Sequence, residues 1–469
     1  MSAFTTHAYS INKLTEGAYL VCTPQGNILF GCPPEILKRI MVSHLPMPET
    51  VVLPETLHHY HSSQASLEFP LYHFLFVQRG LERKRSFQVI ANKRQCKGLE
   101  NLLRVTVVGP SDKEMVQAGL DKQRAKELFQ ETSHLALKNS DTGKVLTIPE
   151  IINFHALEPG DRTVLYPTQD KMPEVVVERL GPASFRIYHG EEAQDVDLTV
   201  TAEQTPNYQL HHKRYNADAG RFTVTVLGRS NGFDPNDPAN GYLLNVDGKV
   251  ILWDAPAYLH QHLKQLKLPP ERIDAFILSH VHEDHIDVVE SVRDGKPFDL
   301  YATPEVYYSL LVKLMAVYGF SMDEAKKRYK YHPIDVHKPM TICGAHFEFF
   351  HAVHAIPAIG ARVTKKIGNK KPILHISGDH LAHAALDQMM EEGGIAKRRY
   401  DEAKGFLRGD ESLVLMDAGG GLIHGDFHDY LDYPRPMAYM HTGLIQEELP
   451  KDQQLVKSGQ VLDVLRNAD

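Results

Sequence analysis

Between Ser279 and Asp287 the chain reads Ser-His-Val-His-Glu-Asp-His-Ile-Asp, which puts His280, His282, Asp284 and His285 into one short stretch. Imidazole nitrogens and carboxylate oxygens are ligands for divalent cations, and imidazole also carries protons near neutral pH. The preceding run Ile273 to Leu278 is apolar and follows a Pro-Pro-Glu-Arg turn, a pattern that predicts a short buried strand. Side chains two apart in an extended segment point the same way, so His280 and His282 can grip one ion. Asp284 and His285 follow as the chain turns and face a second position nearby. Val288 to Val292 then predicts the start of a helix.

A second stretch able to do chemistry is Asp417 to His428, which leaves another apolar run, Leu413 to Met416. Gly419, Gly420 and Gly421 allow a backbone to approach an anionic group closely. His424 could protonate a leaving oxygen, with Asp417 or Asp426 tuning it. A flexible glycine-rich turn is the plainer reading of the same residues.

The His-x-His-x-Asp-His string after a buried strand resembles the metallo-β-lactamase superfamily, and the resemblance implies further ligands downstream. Phe349 to Gly360 resembles the segment carrying that family's third histidine. His354 is the match because Ile-Pro-x-x-Gly follows it, which leaves His351 supporting a ligand from behind or facing solvent. Ser377-Gly378-Asp379-His380 resembles the family's Gly-Asp turn, whose carboxylate bridges two ions, and Pro436 to Gly443 resembles the strand ending in the last histidine, His441. The resemblance therefore implies His280, His282, His354 and Asp379 around one metal, and Asp284, His285, Asp379 and His441 around the other. Asp254, ending the run Val250 to Trp253, resembles the family's aspartate that orients a ligating imidazole. Nitrogen and oxygen donors without thiolate suit Zn²⁺ best, with Mn²⁺ or Fe²⁺ as alternatives. Diiron relatives carry glutamate where this chain has His282, so the histidine favours hydrolysis by a hydroxide held between two metals over redox chemistry. Asp284, His424 and Asp417 are the candidate catalytic groups.

The elements that must hold these groups occur twice. Tyr19 to Pro33 matches Tyr242 to Pro256 at a constant offset of 223, and each run continues into a helix-like stretch and an apolar strand. In the first copy Gly31 stands where Asp254 does, and Pro54 to Ser62 replaces the histidine string. No counterparts of the Gly-Asp turn or the terminal histidine occur between Ala65 and Tyr215. His58, His59 and His61 read as structural or surface residues rather than a second metal site. The expected fold is thus α/β, two αββα metallo-β-lactamase sandwiches in tandem: a degenerate, metal-free lobe over residues 1–215 and a catalytic lobe over 216–469. A metal-free first lobe and an active second one resemble the long form of ribonuclease Z. That family's His-Glu-Ala-Thr block is missing, however, and Leu415 to Asp426 stands in its place.

Length and composition agree with two soluble lobes: 469 residues, 42% hydrophobic and 23% charged. No apolar run is long enough to span a membrane, and no secretory signal stands at the N-terminus. The four cysteines (Cys22, Cys32, Cys96, Cys343) have no C-x-x-C spacing, which points to reduced thiols and a cytoplasmic setting. A net charge of −8 argues against broad capture of nucleic acid. Local clusters remain: Arg79, Arg83, Lys84, Arg85, Lys93, Arg94 and Lys97 in the first half, and Arg362, Lys365, Lys366, Lys370 and Lys371 in the second. They read either as a phosphate clamp or as solvated turns. Asp112 to Lys138 predicts helix, with Ser111 and Glu114 as a capping box. Together these features predict a two-metal hydrolase acting on a small phosphodiester or on RNA, with homodimer formation left open. A thioester, lactone or other acyl substrate is the alternative, and a regulatory ligand-binding tandem protein is the other.

Overall fold

The computed structural model describes the chain except residues 1–8, 170–171, 217–219, 288–295, 422, 443–448, 452 and 468–469. The helix expected from Val288 lies outside the described residues. Two compact units interleave along the sequence. One holds residues 1–103, 146–207 and 312–321; the other holds 104–145, 208–311 and 322–469.

The second unit contains two seven-stranded sheets. In the first, Lys249–Trp253, Ile273–Ile277, Phe298–Ala302 and Tyr329–Pro333 run parallel, and Gly241–Val246, Phe222–Gly228 and Val461–Asp463 continue the sheet antiparallel. In the second, Met340–Ile342, Ala345–Ala352, Ala358–Thr364 and Ile373–Ile376 are antiparallel neighbours. Leu413–Asp417, Met437–Met440 and Gln453–Leu455 then extend it in parallel. Alternate residues of the two sheets face each other: Ile251, Trp253, Ala275 and Ile277 from one meet Phe347, Phe349, Ile376 and Leu415 from the other in one core. Trp253 and Phe349 stack across it at 6.4 Å. The opposite face of the second sheet is also apolar, with Val414, Met416 and Tyr439 packed against Phe406 and Tyr430. Burial on both faces explains why residues 413–416 read as an unbroken apolar run. Flanked by helices such as Leu259–Leu266 and His383–Glu391, this is the αββα metallo-β-lactamase sandwich.

The first unit repeats the first sheet. Ser10–Thr15, Ala18–Cys22, Asn27–Phe30, Thr50–Val52, Phe87–Ala91 and Ile152–Ala156 lie in the same order and with the same directions as Phe222–Gly228 through Tyr329–Pro333. The register agrees residue by residue: Tyr19 pairs with Phe30 as Tyr242 pairs with Trp253. The helix Ile36–Val42 opens at a left-handed Glu35 (φ 55°) where Leu259–Leu266 opens at Tyr258 (φ 60°). Left-handed Gly31 (φ 71°) likewise stands for Asp254 (φ 54°). The tandem is therefore a duplication.

The first unit differs from the second at the position of the histidine string. The amide of Cys32 bonds the carbonyl of Gln64, as that of Ala255 bonds His285, so Gln64 occupies the histidine position. The second sheet of this unit has four strands, all antiparallel: Glu192–Asp197, Ser184–His189, Val175–Arg179 and Arg162–Tyr166. Its four strands match the antiparallel part of the other unit's second sheet, and among the described residues it stops where the strands bearing Asp417 and His441 would begin. His58 packs its ring against Tyr318 at 4.5 Å, and no ligand cluster forms around His58, His59 and His61 among the described residues.

Candidate metal centre

Parallel strands deliver their C-terminal ends to one edge of a sheet, where ligands of α/β folds gather. Here Lys249–Trp253 ends at Asp254, Ile273–Ile277 leads into His280 to His285, Ile373–Ile376 into Asp379, and Met437–Met440 into His441. The antiparallel strand Ala345–Ala352 adds His354. Gly378 makes the turn before Asp379 at φ 62°, and a Cβ there would run into the carbonyl of Ile359.

The structure brings together every residue the sequence singled out as a ligand. Potential ligand atoms converge in overlapping groups: His280, His282 and His354; His280, His285 and Asp379; Asp284, His285 and His441; and Asp379, Asp417, His424 and His441. Asp379 Oδ2 lies centrally, 3.8 Å from His280 Nε2, 3.8 Å from His354 Nε2, 3.2 Å from His285 Nε2 and 3.6 Å from His441 Nε2. Asp284 Oδ2 is 2.9 Å from His441 Nε2. All of these side chains are buried except that of His424, which is half-buried.

The surroundings fix which ring nitrogen carries the proton. Asp254 accepts from the Ser279 amide and hydroxyl and, at 2.9 Å, from His285 Nδ1. Because the Ser279 hydroxyl donates to Asp254, it must accept from His280 Nδ1 at 3.0 Å. His354 Nδ1 donates to the carbonyl of Ile423 at 2.9 Å, and His282 Nε2 to that of Thr106 at 3.0 Å. The facing nitrogens, His280 Nε2, His282 Nδ1 and His354 Nε2, are then all lone pairs, yet His282 Nδ1 lies 3.1 Å from each of the other two. Lone pairs held so close repel unless a cation lies between them. Tetrahedral Zn–N bonds of about 2.0–2.1 Å would separate the nitrogens by roughly 3.3 Å. Buried Asp379 Oδ1 also has no hydrogen-bond partner, as expected of a group facing an ion. The donor set fits divalent metal.

Electrostatics among the protein groups alone agree. Burial and the neighbouring imidazoles push His280 and His282 well below the usual histidine range, and burial takes His354 to about 4, so these rings are neutral ligands. Burial would raise Asp284 and Asp379, but His285 and His441 overcome it and hold both as carboxylates. His424 Nδ1 bonds Asp417 Oδ2 at 3.0 Å and lies 3.6 Å from Asp379. Burial works against its charge, yet Asp417 and Asp379 raise it to about 9. Asp417 itself also accepts from the amides of His380, Gly419 and Gly425. Of the two aspartates weighed as partners of His424, Asp417 takes the role, and Asp426 pairs with His428 on the surface.

Other residues depart from expectation. His351 does not face solvent: it is buried and bonds Glu305 at 2.8 Å. In the basic hairpin, Arg362 is buried against Glu411 and Asp410, and Lys365 pairs with Asp247, so these two serve the fold rather than a phosphate clamp. The helix predicted over Asp112 to Lys138 is two, Asp112–Ala118 and Lys122–Leu135, separated at left-handed Gly119, with the Ser111–Glu114 capping box present. Ser279 and the carbonyls of Ile423 and Thr106 escaped the sequence reading. Ser279 adjoins the motif, but a carbonyl leaves no signature in residue type.

A family model described as "Anti-Pycsar protein Apyc1" matches residues 222–393. The chain is similar to two curated proteins of Dictyostelium discoideum. The cGMP-dependent 3',5'-cGMP phosphodiesterase A is 31% identical over 209 residues, 44% of this chain and 23% of that protein. The cAMP/cGMP-dependent 3',5'-cAMP/cGMP phosphodiesterase B is 23% identical over 485 residues, 91% of this chain and 43% of that protein. The chain thus spans less than half the length of either relative. Among solved structures, the metallo-beta-lactamase fold protein YhfI from Bacillus subtilis aligns at 17% identity with a TM-score of 0.39, covering 51% of this chain and 98% of its own.

Proposed function

We propose that this metallo-β-lactamase-fold chain is a two-metal phosphodiesterase whose substrate is a small 3',5'-cyclic nucleotide, with Zn²⁺ as the resident ion. The observation that carries the reading is Asp379 Oδ2 set among four imidazole nitrogens at 3.2–3.8 Å. That arrangement suits a carboxylate shared by two ions: His280, His282 and His354 would complete one site, and Asp284, His285 and His441 the other. When bound, such a pair supplies a nucleophile at neutral pH and offsets charge on a phosphodiester.

The protein's own groups cover the proton transfers. Asp284 stands to accept a proton from the attacking water. His424, oriented by Asp417 through Nδ1, presents Nε2 to the leaving oxygen and donates to it as the P–O bond breaks. The choice of a cyclic nucleotide rests on the activities named for both curated relatives, one of which aligns with 91% of this chain. The ribonuclease Z reading is weaker because its His-Glu-Ala-Thr block is missing. All four cysteines are free, which supports a reducing, cytoplasmic setting, and among the described residues no helix is long and apolar enough to cross a membrane.

The test is hydrolysis by the full chain, reconstituted with Zn²⁺ or Mn²⁺, of 3',5'-cGMP, 3',5'-cAMP, bis(p-nitrophenyl) phosphate and p-nitrophenyl acetate. Turnover of the cyclic nucleotides, lost in Asp379→Ala, is expected. Ester or thioester hydrolysis by metal-loaded protein that leaves every phosphodiester intact would rule the proposal out.

A further inference from the structure

The carbonyl that bonds His282 comes from a distant part of the sequence. Thr106 lies in the π-helical turn Arg104–Val108, 176 residues before His282, yet it belongs to the same compact unit. In an α-helix the donor to Thr106 would be the amide of residue 110, but that residue is Pro110 and has no N–H. The next amide, of Ser111, is engaged by the Glu114 carboxylate at 2.8 Å. The turn closes instead with a wider bond from the Gly109 amide to the Arg104 carbonyl, 3.0 Å.

The segment is also clamped to the sandwich. Arg104 pairs with Glu114, which accepts from Tyr308 at 2.6 Å. Glu131, on the helix Lys122–Leu135, takes both arms of buried Arg399 at 2.9 and 3.1 Å. The same guanidinium donates to the carbonyl of His351, three residues before His354. The segment thus reaches His282 through the Thr106 carbonyl and, through Glu131 and Arg399, the backbone three residues before His354.

We infer that residues 104–145 form an arm that positions the metal ligands, with the Thr106 carbonyl fixing the tautomer and orientation of His282. The inference rests on the proposed metal centre. A carbonyl that accepts from Nε2–H forces the lone pair onto Nδ1, the nitrogen facing His280 and His354, and prevents the ring from flipping. Thr106 is a positioning residue and touches no reacting atom.

The test is metal affinity of the full chain, read as Zn²⁺ competition against a chromophoric chelator. Val107→Pro drives the preceding residue out of helical conformation and so turns the Thr106 carbonyl away. Pro110→Ala restores an N–H that competes for the same carbonyl, and Val107→Ala is the control. Val107→Pro should weaken one of the two ions about 10–100-fold, the ion that His282→Ala loses outright. Pro110→Ala should act in the same direction, and Val107→Ala should match wild type. If Val107→Pro does not fold, as judged by circular dichroism, Pro110→Ala alone decides. Folded variants that keep wild-type affinity for both ions would overturn the arm's role while leaving the centre intact. A wild-type chain that takes up no ion would instead overturn the centre itself, and the arm's role with it.

Discussion

At the scale of single residues, the centre is a problem in lone pairs. Three neutral imidazoles turned toward each other at 3.1 Å are stable companions only around a cation. The groups behind them decide that orientation, so they should be felt in metal binding. Asp254→Ala removes the acceptor of His285 Nδ1 and should weaken Zn²⁺ binding about 10–100-fold, measured by chelator competition. His424→Gln should leave metal content unchanged and lower kcat by roughly 10²–10⁴ if His424 is the proton donor. An unchanged kcat would remove it from the reaction. The string His280 to His285 could be read from sequence because its ligands are neighbours in an extended segment. His351 was harder, since residue type does not show which face of its strand is buried, and the Thr106 carbonyl was out of reach of any local pattern.

At the scale of elements, turns and ion pairs hold the ligands in register. Gly378→Ala would place a side chain at φ 62° against the carbonyl of Ile359. It should cost about 1–3 kcal/mol in stability, with metal binding impaired as Asp379 moves, both readable in thermal melts with and without Zn²⁺. The buried pair Glu131–Arg399 is a second such joint. Arg399→Ala leaves a buried carboxylate unpaired and should cost about 3–5 kcal/mol in urea unfolding, whereas replacing both partners by methionine should recover most of that. Burial pulls the Glu402 carboxyl upward, but Arg124 and Arg399 hold it down at about 2. A carboxyl whose folded pKa is depressed stabilises above its unfolded value of about 4.3 and loses that contribution as the pH falls toward 2. Glu402→Gln should therefore flatten the acid limb of the stability profile over that window. The strands of the sandwich were legible as apolar runs between turns. The break at Gly119 was not, because charge pattern alone continues across it.

At the scale of the molecule, a sheet occurs twice, and among the described residues a ligand cluster stands at one copy. The repeat is visible in the sequence because Tyr19 to Pro33 and Tyr242 to Pro256 align without a gap, and the structure extends the match to strand order, register and left-handed turns. The interleaving of the units was hidden, since residues 104–145 sit within the sequence of the first copy but pack in the unit that holds the metal centre. A fragment starting at residue 216 lacks the arm and should be poorly soluble or fail to retain metal; a soluble fragment with full metal content would show the arm to be dispensable. The central claim, a carboxylate shared between two ions, is tested most directly by metal content, measured by mass spectrometry on wild type and Asp379→Ala after metal-replete purification. About two equivalents in the wild type, falling sharply in the variant, is the predicted result. Less than about one equivalent in the wild type, or an undiminished content in the variant, would contradict it.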